Sequence, residues 1–199
     1  MKFYGQFSPP IDKVLYERYF KDKKNGTCLE AGAVDGIRLS STKVFEEFLD
    51  WNCINVEPHP NSFKSLVENR PKAININCAL SDEDSTALFR YGPNYILRAS
   101  LVDEKGGRKR HKFEYTEVQT KTYKSIIKEH KIDHLDLMVL DVEGHEEKAI
   151  KGMIGSNVLP RVLCIEVNHC GIDTISPLLL ELGYKHDHNS KINSIFLKT

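Results

Sequence analysis

Residues 135–142 constrain the fold more than any other stretch. Leu137, Met138, Val139 and Leu140 follow one another without a polar break, so a strand built from them is apolar on both faces. Such a strand needs cover on both sides, which is the situation of a central strand in a parallel sheet flanked by helices. Apolar runs at 27–31, 53–56, 73–80 and 161–167 have a similar character. Between them lie segments of helical spacing at 41–49, 61–67, 123–130, 146–153 and 176–182, the first with Val44, Phe45 and Phe48 on one face. Strand followed by helix, repeated, predicts an α/β fold with a mostly parallel sheet.

Three other features complete the organisation. Pro9-Pro10 opens an N-terminal helix over 11–20, part of a lead spanning 1–24; Asn61 is the expected cap of the helix at 61–67, and Gly183 closes the one at 176–182. Alternation lapses over 84–122, where short strands at 87–91 and 115–120 enclose a long loop, and a loop of that length usually has a function or lacks order. The last two runs, 184–188 and 194–197, are joined only by a turn around Asn189-Ser190-Lys191 and predict an antiparallel hairpin. With 199 residues, one domain over 1–199 is the expectation.

Within this frame the stretch Cys28-Leu29-Glu30-Ala31-Gly32-Ala33-Val34-Asp35-Gly36 is a strand running into a glycine-punctuated turn. Glycine lets a backbone turn sharply and approach a ligand where a Cβ would clash. Only Gly32 and Gly36 are glycine here, so the G-x-G-x-x-G pattern of a pyrophosphate-binding turn is missing, and Glu30 and Asp35 crowd the site with carboxylates. A cationic guest fits better than a phosphate. S-adenosylmethionine, with a sulfonium, an ammonium and a ribose, has that character.

Charge and cysteines narrow the classes further. The chain has 28 basic and 28 acidic residues for a net charge of +0, so it lacks the basic footprint of a nucleic-acid binder. Cys28, Cys53, Cys78 and Cys164 lie in apolar runs without metal-ligand spacing and, with Cys170, read as reduced core thiols. The N-terminus has no apolar leader and nowhere do about 18 apolar residues run together. The expectation is a cytoplasmic protein with no membrane span.

Ligands of open α/β sheets bind beyond the carboxyl ends of the strands. Those ends carry Glu30, Gly32 and Gly36; Glu57; the segment 79–82; Asp141, Glu143 and His145; and Glu166, Asn168 and His169. Glu57 stands about 20 residues past the glycine turn, the spacing at which an acid grips the ribose hydroxyls of an adenosine cofactor.

Taken together, Leu29 to Gly36, Ser40 to Thr42, Asn55-Val56-Glu57-Pro58-His59-Pro60, Ala79-Leu80-Ser81, Ser100-Leu101 and Asp141-Val142-Glu143-Gly144-His145-Glu146 resemble, in that order, the FkbM-type methyltransferases. The resemblance covers roughly residues 27 to 197. It implies the class I S-adenosylmethionine-dependent fold: a Rossmann-like three-layer sandwich whose seven-stranded sheet ends in an antiparallel hairpin. It also implies O-methylation of a hydroxyl on a sugar or other small molecule. Glu30, Gly32, Ala33 and Gly36 would surround the methionine part of the cofactor, Glu57 would hold the ribose, Ala79 and Leu80 would lie near the adenine, and Asp141 near the methionine ammonium. One departure is visible: position 34 is Val where the general methyltransferase turn has Gly.

An alcohol nucleophile profits from a base, and His145, His169 and Glu143 are the candidates; each histidine also has a bland reading, as a helix cap or as a strand-end side chain bonded to backbone. Asp141, Glu143, His145 and Glu146 invite a divalent metal, magnesium for oxygen ligands, but no separated set of ligands closes a coordination sphere, and acids serving cofactor and cap are favoured. The basic run at 105–112 reads as a solvated face; in a lid over 100–112 it would instead attract an acidic, phosphorylated or nucleotide-linked sugar. Two other functions compete with methyl transfer. A non-catalytic binding or scaffold domain would keep the fold alone, and an NAD-type oxidoreductase shares the ribose acid but lacks its turn.

Overall fold

The computed structural model describes residues 1–92, 99–102 and 113–199. The basic run at 105–112 and most of the expected lid lie outside the described residues. In chain order, α1 (Ile11–Leu15) continues as a π-helical turn, Tyr16–Phe20. Next come β1 (Thr27–Ala31), α2 (Lys43–Leu49), β2 (Asn52–Val56) and α3 (Pro60–Asn69), then β3 (Ile74–Ile76) and β4 (Ala79–Ser81). After β5 (Ser85–Tyr91), β6 (Ser100–Val102) and β7 (Glu114–Thr122), the alternation resumes with α4 (Tyr123–Glu129), β8 (Leu137–Leu140), α5 (Glu146–Lys151), β9 (Val162–Glu166) and α6 (Ile172–Glu181). The chain ends in β10 (Tyr184–Ser190) and β11 (Asn193–Lys198).

Seven strands form one sheet in the order β10-β11-β9-β8-β1-β2-β3. All pairs are parallel except β10 with β11 and β11 with β9. Strand order reverses between β1 and β8, where the crossovers diverge and a cleft opens. Every residue of β1, β8 and β9 is buried, as the unbroken apolar run at 137–140 requires. The pleat divides these strands between two cores. Leu29, Met138, Leu140, Leu163 and Ile165 pack with Ile126, Ile150, Ile175 and Leu179 from α4, α5 and α6. Cys28, Leu137, Val139, Val162 and Cys164 pack with Leu15, Val44 and Phe45 from α1 and α2. Each such side chain contributes roughly 1.5–3 kcal/mol on burial, and the sandwich has three layers because neither face of the sheet is polar.

The third apolar run departs from expectation. Instead of one strand over 73–80, the chain breaks at Asn77 and Cys78. Ile74–Ile76 pairs with β2 in the main sheet, while Ala79–Ser81 pairs with β7 in a second, four-stranded sheet ordered β4-β7-β5-β6. The Asn77 side chain causes the break to hold: its Nδ2 donates to the Glu57 carbonyl at 2.8 Å. β6 was not legible as a strand. The cap of α3 is His59 rather than Asn61, its Nδ1 accepting from the Ser62 N–H at 3.2 Å. Helix α6 starts at Ile172, ahead of the expected 176, directly after Gly171 with φ 75°; Pro177 is carried inside it because Ile172, Ile175 and Leu179 already present an apolar face. All five cysteines are free thiols, four buried and Cys170 half-buried. Among the described residues no helix is long and apolar enough to cross a membrane.

Candidate active site

The turn after β1 is shaped by space as much as by conformation. Gly32 has φ 85°, and a Cβ there would lie 1.9 Å from the Asp141 carbonyl oxygen. The backbones leaving β1 and β8 therefore touch, which only glycine permits. Gly36, with φ 75°, would drive a Cβ to 2.5 Å from Leu66 Cδ1; it lines neither pocket and packs against α3. Val34 has φ 52°, so this β-branched residue takes the left-handed conformation that glycine takes in the general turn, at a cost of roughly 1–2 kcal/mol. Its N–H donates to Glu57 Oε2 at 2.8 Å, and that bond fixes it. Asp35 serves its own turn, Oδ1 accepting from the Ile37 and Arg38 N–H groups.

Two adjacent pockets open at the strand ends. The first, about 80 Å³, is a slot between Gly32 and Glu57 on one side and Ala79, Leu80, Phe89 and Leu101 on the other. The second, about 590 Å³, is lined by Glu30, Ala33, Arg90, Glu143, Glu166 and His169, among others. Gly32, Val34, Asp141 and Glu143 border both. The structure thus brings Gly32, Ala33, Glu57, Ala79, Leu80 and Asp141 together around one cleft, with Glu30 at its floor.

Within the cleft the acids divide by role. Glu30 is buried and spends its carboxylate on the chain: Oε2 accepts from Ser40 Oγ at 2.8 Å and Thr42 Oγ1 at 2.7 Å, and Oε1 from the Ser41 N–H at 2.5 Å. It anchors the loop leading into α2. Glu57 is 5% exposed; its Oε1 accepts from the His59 N–H at 2.8 Å. Burial pushes this carboxyl up to about 7, against the pull of its two amide donors. Burial also raises Asp141 well above the usual carboxyl range, helped by the Glu166 carboxyl packed against it, and burial raises Glu166.

The base candidates divide, His145 standing apart from the pair His169 and Glu143. His145 borders the first pocket, its Nε2 3.0 Å from Ser81 Oγ. His169 borders the second, its Nε2 3.1 Å from Glu143 Oε2. Glu146 is fully buried and turned back onto its own turn, accepting from the Val142 and Gly144 N–H groups. The set Asp141, Glu143, His145 and Glu146 therefore does not converge. Among the described residues, the three ligand-bearing side chains that do are Glu143, Glu166 and His169.

A model of the methyltransferase FkbM domain matches residues 30–186. The chain belongs to the FkbM methyltransferase family. Comparison with curated protein sequences found no match. Among solved structures, the FkbM methyltransferase of Methylobacillus flagellatus KT superposes with a TM-score of 0.57 at 14% identity, over 88% of this chain and 44% of that one. The present chain thus spans less than half of that FkbM protein. A TehB-like SAM-dependent methyltransferase from Corynebacterium glutamicum superposes at 0.53 and 11% identity, over 100% and 89%. A ribosomal protein L11 methylase from Lactobacillus delbrueckii subsp. bulgaricus gives 0.50 and 12%, over 95% and 77%. These likenesses establish the class I methyltransferase fold.

For this FkbM domain, sequence reasoning missed two groups that build the site. Arg70 is fully buried at the end of α3, ion-paired through Nε with Glu46, and donates from Nη1 to the Gly36 carbonyl at 3.1 Å. Nothing in its surroundings in the sequence marks it. Phe89 and Tyr91 flank the His59 ring, the Tyr91 centroid 4.5 Å away, and so join the smaller sheet to the start of α3. The alternation over 87–91 carried the signal for that strand, though not for which face meets the slot.

Proposed function

We propose that this FkbM domain methylates a hydroxyl of a small molecule, a sugar or an acidic or phosphorylated sugar, with S-adenosylmethionine as donor. The single observation that carries this reading is the adjacency of the two pockets across Gly32 and Asp141. One is a slot with apolar walls and a buried acid, and the other is polar and roomy. The residues fit the cofactor. Gly32 lines the slot and lets the backbones leaving β1 and β8 meet there, Glu57 faces the slot with both oxygens held in place by amides, and Ala79, Leu80 and Phe89 offer apolar contact for a purine. Asp141 and its acidic neighbours favour the positive charge of the methionine end. When bound, the cofactor supplies an electrophilic methyl group.

This chain's own work is then alignment and proton handling. Alignment of nucleophile and methyl group supplies most of the acceleration in such a transfer. His169 and Glu143, whose Nε2 and Oε2 lie 3.1 Å apart in the second pocket, are the groups that the acceptor hydroxyl meets and that take up its proton. Arg90 lines the same pocket, and its Nε is buried without a partner, which supports an acceptor bearing negative charge.

The test is calorimetric titration of the purified chain with S-adenosylhomocysteine and, separately, NAD, followed by transfer of labelled methyl from S-adenosylmethionine to a panel of neutral and phosphorylated sugars. Binding of the first ligand alone, with label reaching a hydroxyl, is expected. Absence of heat with S-adenosylhomocysteine sinks the reading, and binding without transfer to any acceptor points to a scaffold domain.

A further inference from the structure

Glu143, Glu166 and His169 each offer one ligand atom to a common point, all within 4.8 Å of one another. They come from neighbouring strand ends: Glu143 follows β8, Glu166 closes β9, and His169 lies in the turn after it. One member of the group, Glu166, lies inside the protein, with Glu143 half-buried and His169 exposed. Glu166 is 5% exposed, and its Oε2 is sealed from solvent with no hydrogen-bond partner. Its carboxyl also packs against that of Asp141, and two acids brought together in a buried place are costly to ionise unless a cation meets them.

We propose that Glu143, Glu166 and His169 bind one divalent first-row metal ion at the acceptor end of the cleft. Two carboxylates and an imidazole form a mixed oxygen and nitrogen set, which suits manganese, iron or zinc better than calcium or magnesium, whose preferred ligands are all oxygen. Three protein ligands leave coordination positions open, and the second pocket has room at about 590 Å³ for an acceptor oxygen to fill them. The inference rests on the acceptor end of the cleft assigned above and specifies how a hydroxyl is held there. A hydroxyl on such an ion would lose its proton more readily and pass it to solvent in the open pocket, His169 and Glu143 then serving as ligands in place of proton acceptors.

The test uses the full chain without an affinity tag, stripped with a chelator and titrated with manganese(II), the free ion being read by electron paramagnetic resonance. One ion per chain is expected. Glu166→Gln and His169→Ala should each weaken binding about tenfold or more, whereas His145→Ala, outside the cluster, should leave it unchanged. His169 is exposed, so its variant keeps the test decisive if Glu166→Gln fails to fold. No bound manganese up to millimolar concentration, or equal binding by His169→Ala, overturns the site. S-adenosylhomocysteine binding on the same samples separates the failures: retained without manganese binding, it leaves the cofactor reading standing and the pair as a proton acceptor only.

Discussion

The Val34 N–H donates to the Glu57 carboxylate at 2.8 Å, joining the turn after β1 to the end of β2. The bond orients one side of the slot before any ligand arrives.

Glu57 should make cofactor binding depend on pH. In the proposed role the ionised carboxylate accepts from the ribose hydroxyls, so affinity for S-adenosylhomocysteine should fall as pH drops through about 7. Glu57→Gln should bind about 10–100-fold more weakly, the equivalent of a charged hydrogen bond of roughly 1.5–3 kcal/mol, and without that dependence. Stability moves the other way. A carboxyl raised by folding from 4.5 to about 7 stabilises most below 4.5 and loses that contribution as pH rises through 7. Calorimetry from pH 5 to 8 and urea unfolding of both proteins check the two slopes; parallel slopes in wild type and variant would refute the role.

Gly32→Ala should abolish cofactor binding and cost more than about 3 kcal/mol of stability, because the new methyl meets a backbone carbonyl that cannot move without displacing β8. Val34→Gly should change stability by only about 1 kcal/mol, the relief of left-handed strain offset by greater freedom of the unfolded chain. Thermal unfolding of both variants decides; equal losses would show that the strand ends do not touch as described.

Removing Arg70 leaves the half-buried Glu46 with Lys43 beside it and the Gly36 carbonyl without this donor. Arg70→Met should therefore destabilise the fold by about 3–5 kcal/mol, and Arg70→Lys should not restore it fully, since the two-sided reach needs a guanidinium. Urea denaturation measures both. A loss under about 1 kcal/mol for Met would mean that the interior charge is dispensable.

The two histidines should split in kinetics. His169→Ala should lower kcat about 100-fold or more, with cofactor affinity nearly kept. His145→Ala should act mainly on the KM for S-adenosylmethionine, since it stands with Ser81 beside the slot. Steady-state methyl transfer to whichever acceptor the wild type uses distinguishes them. Equal effects on kcat would remove the assignment of His169.

Much of this was legible in the sequence because the physics is local. Leu137 to Leu140 announce a strand covered on both faces, and Gly32, Glu57 and Asp141 fall at strand ends once the strands are found. What stayed hidden depends on contacts across the fold. The break at Asn77 follows from an amide reaching the Glu57 carbonyl, the capping of α3 by His59 from a ring held under Tyr91, and the meeting of Glu166 with Glu143 from the pairing of β8 with β9. Arg70 is the clearest case: a lone arginine gives no hint that its partners will enclose it.

The break in the third strand has a further consequence. Gly32 and Glu57 stand on the main sheet, while Ala79, Leu80, Phe89 and Leu101 stand on the smaller one, and no strand hydrogen bonds run from β4 to β3. The two walls of the slot are thus carried by separate frameworks. Changes in the smaller sheet can reshape the wall formed by Ala79, Leu80 and Phe89 while the register that places Gly32 and Glu57 stays as it is.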